Sequence, residues 1–142
     1  MNFFAPGSFE HAWGEAMESP HGEFSVGGHG FAPWAVMDDR NGAKGIGMTP
    51  STLAKLIVAN DKYHGQDIYL YACSSGEEEG YSSYAELLAE ELSKLGYPNV
   101  IVWAPTKTAT VTGYRIPKTD IILFPSVSVK NGGKFKPFRA EE

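Results

Sequence analysis

The chain has 142 residues, enough for one domain with a real core, and its 42% hydrophobic and 20% charged composition excludes disorder over the whole length. A formal charge of −5 with twelve scattered Lys and Arg makes a nucleic-acid backbone or an anionic membrane surface a poor partner. A single cysteine excludes an internal disulfide, and no apolar window reaches the roughly 20 residues that span a bilayer.

The start, MNFFAPGSFEHAWG, lacks a basic stretch followed by an apolar one, so it does not read as a signal peptide. Residues 1–22 read as a lead-in segment, poorly ordered or partly helical, with a short helix after Ser8. Residues 23–142 read as a single α/β domain. Its first strand is Glu23–Val26, which ends abruptly in Gly27-Gly28-His29-Gly30. The turn dipeptide Asn41-Gly42, between Trp34–Met37 and Ile46–Met48, predicts a small hairpin lying over the end of that strand. Thr49 as cap, Pro50 in the first turn and the stripe Leu53, Leu56, Ile57 then predict a helix, closed by Asn60-Asp61 and His64-Gly65. Ile68–Ala72 is a nearly continuous apolar run, as expected of a strand covered on both faces, and it stops at Cys73-Ser74-Ser75-Gly76.

Ser83 and Glu86 have capping-box spacing. Tyr84, Leu87, Leu88, Leu92 and Leu95 share one helical face that Gly96 terminates. Val100–Trp103 is a third strand, broken by Ala104-Pro105. The tail (110–116, 121–124, 126–129 and 134–138) reads as strands and hairpins without helices. Strand, helix, strand, helix, strand in this order predicts right-handed βαβ units, hence a mainly parallel sheet with a β-rich C-terminal extension.

In such sheets reactive groups collect at the carboxyl ends of the strands. One strand ends on His29 and the next on Cys73. Neighbouring strands lie about 4.8 Å apart, which puts the two side chains roughly 5–10 Å from each other. A lone cysteine at the end of an apolar strand is more often a core residue, and a lone histidine among glycines a turn residue. The pair at equivalent ends carries the inference. An imidazole beside a thiol raises the thiolate fraction and hence the nucleophilicity. Gly30 and the Cys73 amide are placed to donate to the oxygen of an attacked carbonyl. Trp34, Asp38, Ser74 and Glu77 are the candidate substrate-binding residues around the pair. His11 and His21 lie in the lead-in segment, and His64 belongs to a turn. No HExxH, paired CxxC, Walker-type loop or GxGxxG is present, so neither a metal nor a nucleotide cofactor is expected.

VGGHGF, followed at the next strand end by IYLYACSSG, resembles the two signature blocks of the caspase-like (clan CD) cysteine peptidases. In those, His-Gly ends one strand and Ala-Cys-x-x-Gly or a near relative ends the next. The likeness covers about residues 23–106 and is closer to the compact domains at the C-termini of bacterial polymorphic toxins of the RHS type. It implies a three-layer caspase-like fold over 23–142 and a thiol endopeptidase with Cys73 as nucleophile and His29 as general base and acid. Gly30 and Cys73 would supply the oxyanion hole. It also implies a secreted effector, or one delivered into a target cell by a specialised secretion system in bacterial competition. Its partners would be a protein substrate and a cognate immunity protein. The acidic run Glu77-Glu78-Glu79-Gly80 departs from the shorter polar loop of that pattern. A dyad-based acyl transferase or deamidase, or a non-catalytic binding module of the same fold, are the alternatives.

Overall fold

A computed structural model describes residues 1–18, 23–31, 35–41, 45–78 and 82–140. Ser8, extended and with its hydroxyl accepting from the His11 N–H, caps helix α1, Phe9–Met17. After it come β1 (Phe24–Gly27), β2 (His29–Phe31), β3 (Ala35–Asp38) and β4 (Ile46–Met48). Thr49 caps α2 (Pro50–Ala59), β5 covers Ile68–Tyr71, and Ser83 caps α3 (Tyr84–Lys94) by accepting from the Glu86 N–H. β6 (Val102–Pro105), β7 (Ala109–Arg115), β8 (Ile122–Val129) and β9 (Phe135–Phe138) complete the order.

The main sheet runs β1-β5-β6-β9. The first three strands are parallel, and β9 pairs antiparallel with β6, Val102 opposite Phe138. The protein is therefore a mixed α/β fold whose sheet holds both strand directions. β2, β3 and β4 form a second, antiparallel sheet, in which the expected hairpin (Val36 opposite Met48) gains β2 as an added strand. β7 and β8 form a third.

One face of the main sheet is dry. Val26, Ile68, Leu70 and Val102 pack with Leu53 and Ile57 of α2 and Leu88 and Leu92 of α3, all fully buried. The opposite face differs from the expected complete burial of β5. Tyr69 and Tyr71 alternate with Ile68 and Leu70 and are only half-buried. Tyr69 stacks on Trp103 at 5.9 Å, and Tyr71 meets the edges of Trp13 and Phe135. Tyrosine suits such a face because its ring is largely apolar and carries a single polar group at its rim. Among the described residues α1 and the β7–β8 hairpin cover this side, around the smaller core of Ala12, Trp13 and Ile122.

The N-terminal residues, expected as a lead-in, are built into the domain. Phe3 donates its N–H to the Gly27 carbonyl at 2.7 Å and Gly27 donates to Met1 at 2.9 Å, extending the sheet beside β1. Phe3 and Trp13 are completely buried. Large apolar side chains in the first half-dozen positions of a Gly- and Pro-rich stretch are the physical reason. The tail also differs from the expectation. Residues 121–124 and 126–129 join into the one strand β8 through Pro125, with Phe124 in left-handed backbone (φ +53°) and a register shift opposite, between Thr112 and Tyr114. Proline is tolerated in a strand beside such an irregularity.

Candidate active site

Parallel pairing of β1 with β5 sets Gly27 opposite Tyr71, and the ladder continues one step further with Gly28 N–H donating to the Tyr71 carbonyl at 3.2 Å. His29 and Cys73 are each two residues past that register and leave the carboxyl end of the sheet together. Beyond it the two chains part. His29 turns into β2, whereas Cys73 opens a tight turn.

The turn is held from several sides. Ser75 donates its N–H and its hydroxyl to the Ala72 carbonyl, at 3.2 and 2.8 Å. Ser74 N–H reaches the Lys107 carbonyl at 3.0 Å, Gly76 N–H that of Pro105 at 2.9 Å, and Ala85 N–H that of Ser75 at 2.8 Å. Ser74 takes a left-handed conformation, φ +55°, which a serine adopts only at an energetic cost of about 1 kcal/mol. The loop is thus pinned to the end of β6 and the start of α3, and it presents Cys73 in one orientation.

The Cys73 sulfur, half-buried, meets both main-chain groups of Ala109. It donates to the carbonyl and accepts from the N–H, each at 3.4 Å. Both groups of Ala109 therefore point away from β8, and by the twofold alternation of a strand those of Val111 point the same way. The Lys130 N–H to Thr108 carbonyl bond, 2.8 Å, fits this phase. Among the described residues the Cys73 N–H has no main-chain acceptor. The His29 side chain is exposed, its ring edge-on to Phe4 at 5.1 Å.

His29 and Cys73 line one cleft of about 180 Å³. Gly28 and Tyr71 complete its sheet side, Phe4 and Glu10 form one wall, and Ala109, Thr110, Val111 and Val127 form the other. Gly30 lies directly behind, against the Cys73 backbone. Of the expected substrate-binding residues, Asp38, Ser74 and Glu77 do not line this cleft. The Asp38 carboxylate is held by Arg40, at 2.8 Å from both Nε and Nη2, and that hydrogen-bonded pairing keeps its carboxyl below the usual aspartate value. Ser74 and Glu77 sit in the cysteine turn, their N–H groups on Lys107 and Ser74. Trp34 lies outside the described residues. Sequence reasoning missed Phe4, Glu10 and the β7–β8 wall, because each comes from a segment far from the motifs in sequence.

Among the described residues no three of His, Cys, Asp and Glu stand together as a metal would require, and no helix is long and apolar enough to cross a membrane. The model of a family described as a domain of unknown function, DUF8616, matches residues 1–127. The chain belongs to that family. No curated protein and no solved structure matches it. The DUF8616 match takes in the N-terminal segment and every cleft residue named above, ending at Val127.

Proposed function

We propose that the chain is a caspase-like cysteine endopeptidase with Cys73 as nucleophile and His29 as general base and acid. The observation that carries this is the shared cleft of the two residues, level with each other past the Gly27–Tyr71 register. Supporting it, His29-Gly30 just past the end of β1, helix α2, and Cys73 two residues past the end of β5 follow one another in the order that the sequence likeness implies. The three-layer caspase-like architecture is part of the same reading.

In the reaction, His29 takes the Cys73 thiol proton as the sulfur attacks the peptide carbonyl. The free Cys73 N–H, with Gly30 beside it, donates to the oxyanion. The carbon–nitrogen bond breaks as His29 returns the proton to the leaving amine, leaving an acyl thioester. Water, deprotonated by His29, then releases the carboxylic acid and restores the thiol. The sequence blocks VGGHGF and IYLYACSSG further support a role as a bacterial toxin or effector module. Such a module would be delivered into a target cell, with a protein substrate and a cognate immunity protein as partners.

The test is expression of wild type, Cys73→Ala and His29→Ala, with mass spectrometry of the exposed proteome. New peptide termini with wild type, lost by on the order of 10³-fold in both variants at unchanged circular dichroism, support the peptidase. Shifts of about 1 Da or new cross-links in place of termini would show that the same thioester chemistry serves deamidation or acyl transfer. Identical proteomes for all three proteins would leave a binding module.

A further inference from the structure

The cleft holds one carboxylate that the mechanism does not use. Glu10 is in the first turn of α1, half-buried, and lines the cleft together with His29 and Cys73. The other acids of that segment are engaged: Glu15 with His11 and Asn2, Glu18 with the Met1 ammonium. Among the described residues the Glu10 carboxylate has neither hydrogen bond nor ion pair. Ser8 already caps the helix, so capping does not require it. Phe4, Tyr71, Val111 and Val127 supply apolar or aromatic wall, with Thr110 a polar residue among them. At about 180 Å³ the cleft is below the ~300–1,000 Å³ of sites that enclose a whole small ligand, and its size is that of a single side chain.

We propose that this cleft is a specificity pocket for lysine or arginine, in which Glu10 pairs with the cationic head and the apolar walls take the stem. The idea rests on the peptidase reading for the reaction it serves. A long basic side chain has the matching anatomy, a methylene stem that favours apolar surface and a charged end that needs a partner. An acidic side chain entering the same space would meet an unneutralised carboxylate, so the pocket discriminates by repulsion as well as attraction. The pocketed residue is the one whose carbonyl Cys73 attacks, because the same small cleft exposes the sulfur.

Two measurements on wild type and Glu10→Gln test this, the variant keeping shape and hydrogen-bonding capacity. The first compares kcat/KM on peptides that differ only in Lys, Gln or Glu before the scissile bond. Wild type is expected to prefer Lys over Gln by at least about tenfold, and Glu10→Gln to lose that preference. The second needs no catalysis. Cys73 is modified with 2-aminoethyl or 2-sulfonatoethyl methanethiosulfonate; the thiolate attacks the sulfenyl sulfur, a disulfide forms and methanesulfinate leaves. The cation-to-anion rate ratio is expected to fall about tenfold in Glu10→Gln. Unchanged ratios in both assays overturn the proposal, and so does an equal slowing of all three peptides, which would make Glu10 a positioning residue for His29. A changed labelling ratio without cleavage of any peptide by wild type sinks the peptidase reading and leaves a cation-selective cleft at Cys73.

Discussion

Gly30 lies so close against Cys73 that a methyl group on its α-carbon would collide with the Cys73 carbonyl oxygen and stand 2.7 Å from the Cys73 nitrogen. The obstacle is backbone, which cannot swing aside as a side-chain end does. Gly30→Ala must therefore push β2 away from the cysteine turn. An overpacking cost of about 1–3 kcal/mol is expected in urea denaturation, with Cys73 labelling altered in rate. Peptide cleavage should fall far more than stability, since the Cys73 amide would be displaced from the oxyanion position. A variant as stable and active as wild type would show that the two segments can separate freely.

Trp13 joins the N-terminal helix to the cleft's far wall. It is fully buried, its indole N–H donates to the Ser126 carbonyl at 3.0 Å, and its ring meets Tyr71 edge-on at 5.0 Å. Trp13→Ala removes the centre of the smaller core and should cost about 3–5 kcal/mol. Trp13→Phe keeps most of the apolar volume but strands the contact to Ser126, next to the cleft residue Val127, at about 1–2 kcal/mol. Equilibrium unfolding measures both. Limited proteolysis should show cleavage within residues 109–129 rising in the order wild type, Phe, Ala. Equal protection in all three would mean that α1 does not anchor the hairpin.

The parallel core was legible because its signals are local. Thr49-Pro50, the Ser83–Glu86 box, the short strand Glu23–Val26 and the apolar run Ile68–Ala72 each specify an element within a few residues. From the element order, the convergence of His29 and Cys73 on one edge follows. The two-sided burial of β5 was misread because Tyr69 and Tyr71 count as apolar in a run, yet their hydroxyls favour a half-open face. The structural part of residues 1–18 was hidden by Gly, Pro and Ser, although Phe3, Phe4 and Trp13 supply the apolar surface that docks it. Glu10 and Val111 were unreachable for another reason. Their place in the cleft depends on α1 and β7 packing across the sheet, a long-range relation with no local signature.

Asp38 was a plausible substrate contact by sequence, and its pairing with Arg40 now predicts the opposite. Asp38→Asn should leave peptide cleavage and Cys73 labelling within about twofold of wild type. Its effect belongs to stability. Because Arg40 lowers the folded carboxyl pKa, the contribution is present above the unfolded value near 4 and is lost as pH falls through the lower folded value. The Arg40 side chain is half-exposed, so the contribution should stay below about 1 kcal/mol. A tenfold loss of cleavage in Asp38→Asn would place the residue in the site after all.

Tyr63 is 4% exposed, packed edge-on between Phe24 and Tyr97, and its buried hydroxyl has no hydrogen-bond partner among the described residues. An unsatisfied buried hydroxyl carries a desolvation penalty with nothing to offset it. Tyr63→Phe should therefore stabilise the fold by about 1 kcal/mol, seen as a higher denaturation midpoint at an unchanged slope. Destabilisation by more than that amount would reveal a partner for the hydroxyl.

Alkaline pH should unfold the protein through its buried tyrosines. Burial pushes the Tyr71 phenol up to about 12, and it raises Tyr63 and Tyr84 further. Tyr84 is also needed in its protonated form, since its hydroxyl donates to the Met48 carbonyl at 2.8 Å. Folded values above the unfolded value near 10 mean that the folded state keeps protons the unfolded chain has lost. The contribution is complete below pH 10 or so and drains away as pH rises through the folded values. Stability in urea should fall by about 1 kcal/mol per buried tyrosine between pH 10 and 11. Tyr71→Phe should remove its share of that slope while leaving the acid side untouched. Phenolate absorbance at 295 nm gives the second readout: part of the signal from the seven tyrosines should arrive only with unfolding. Complete ionisation before the fold is lost would show that Tyr63, Tyr71 and Tyr84 are open to water.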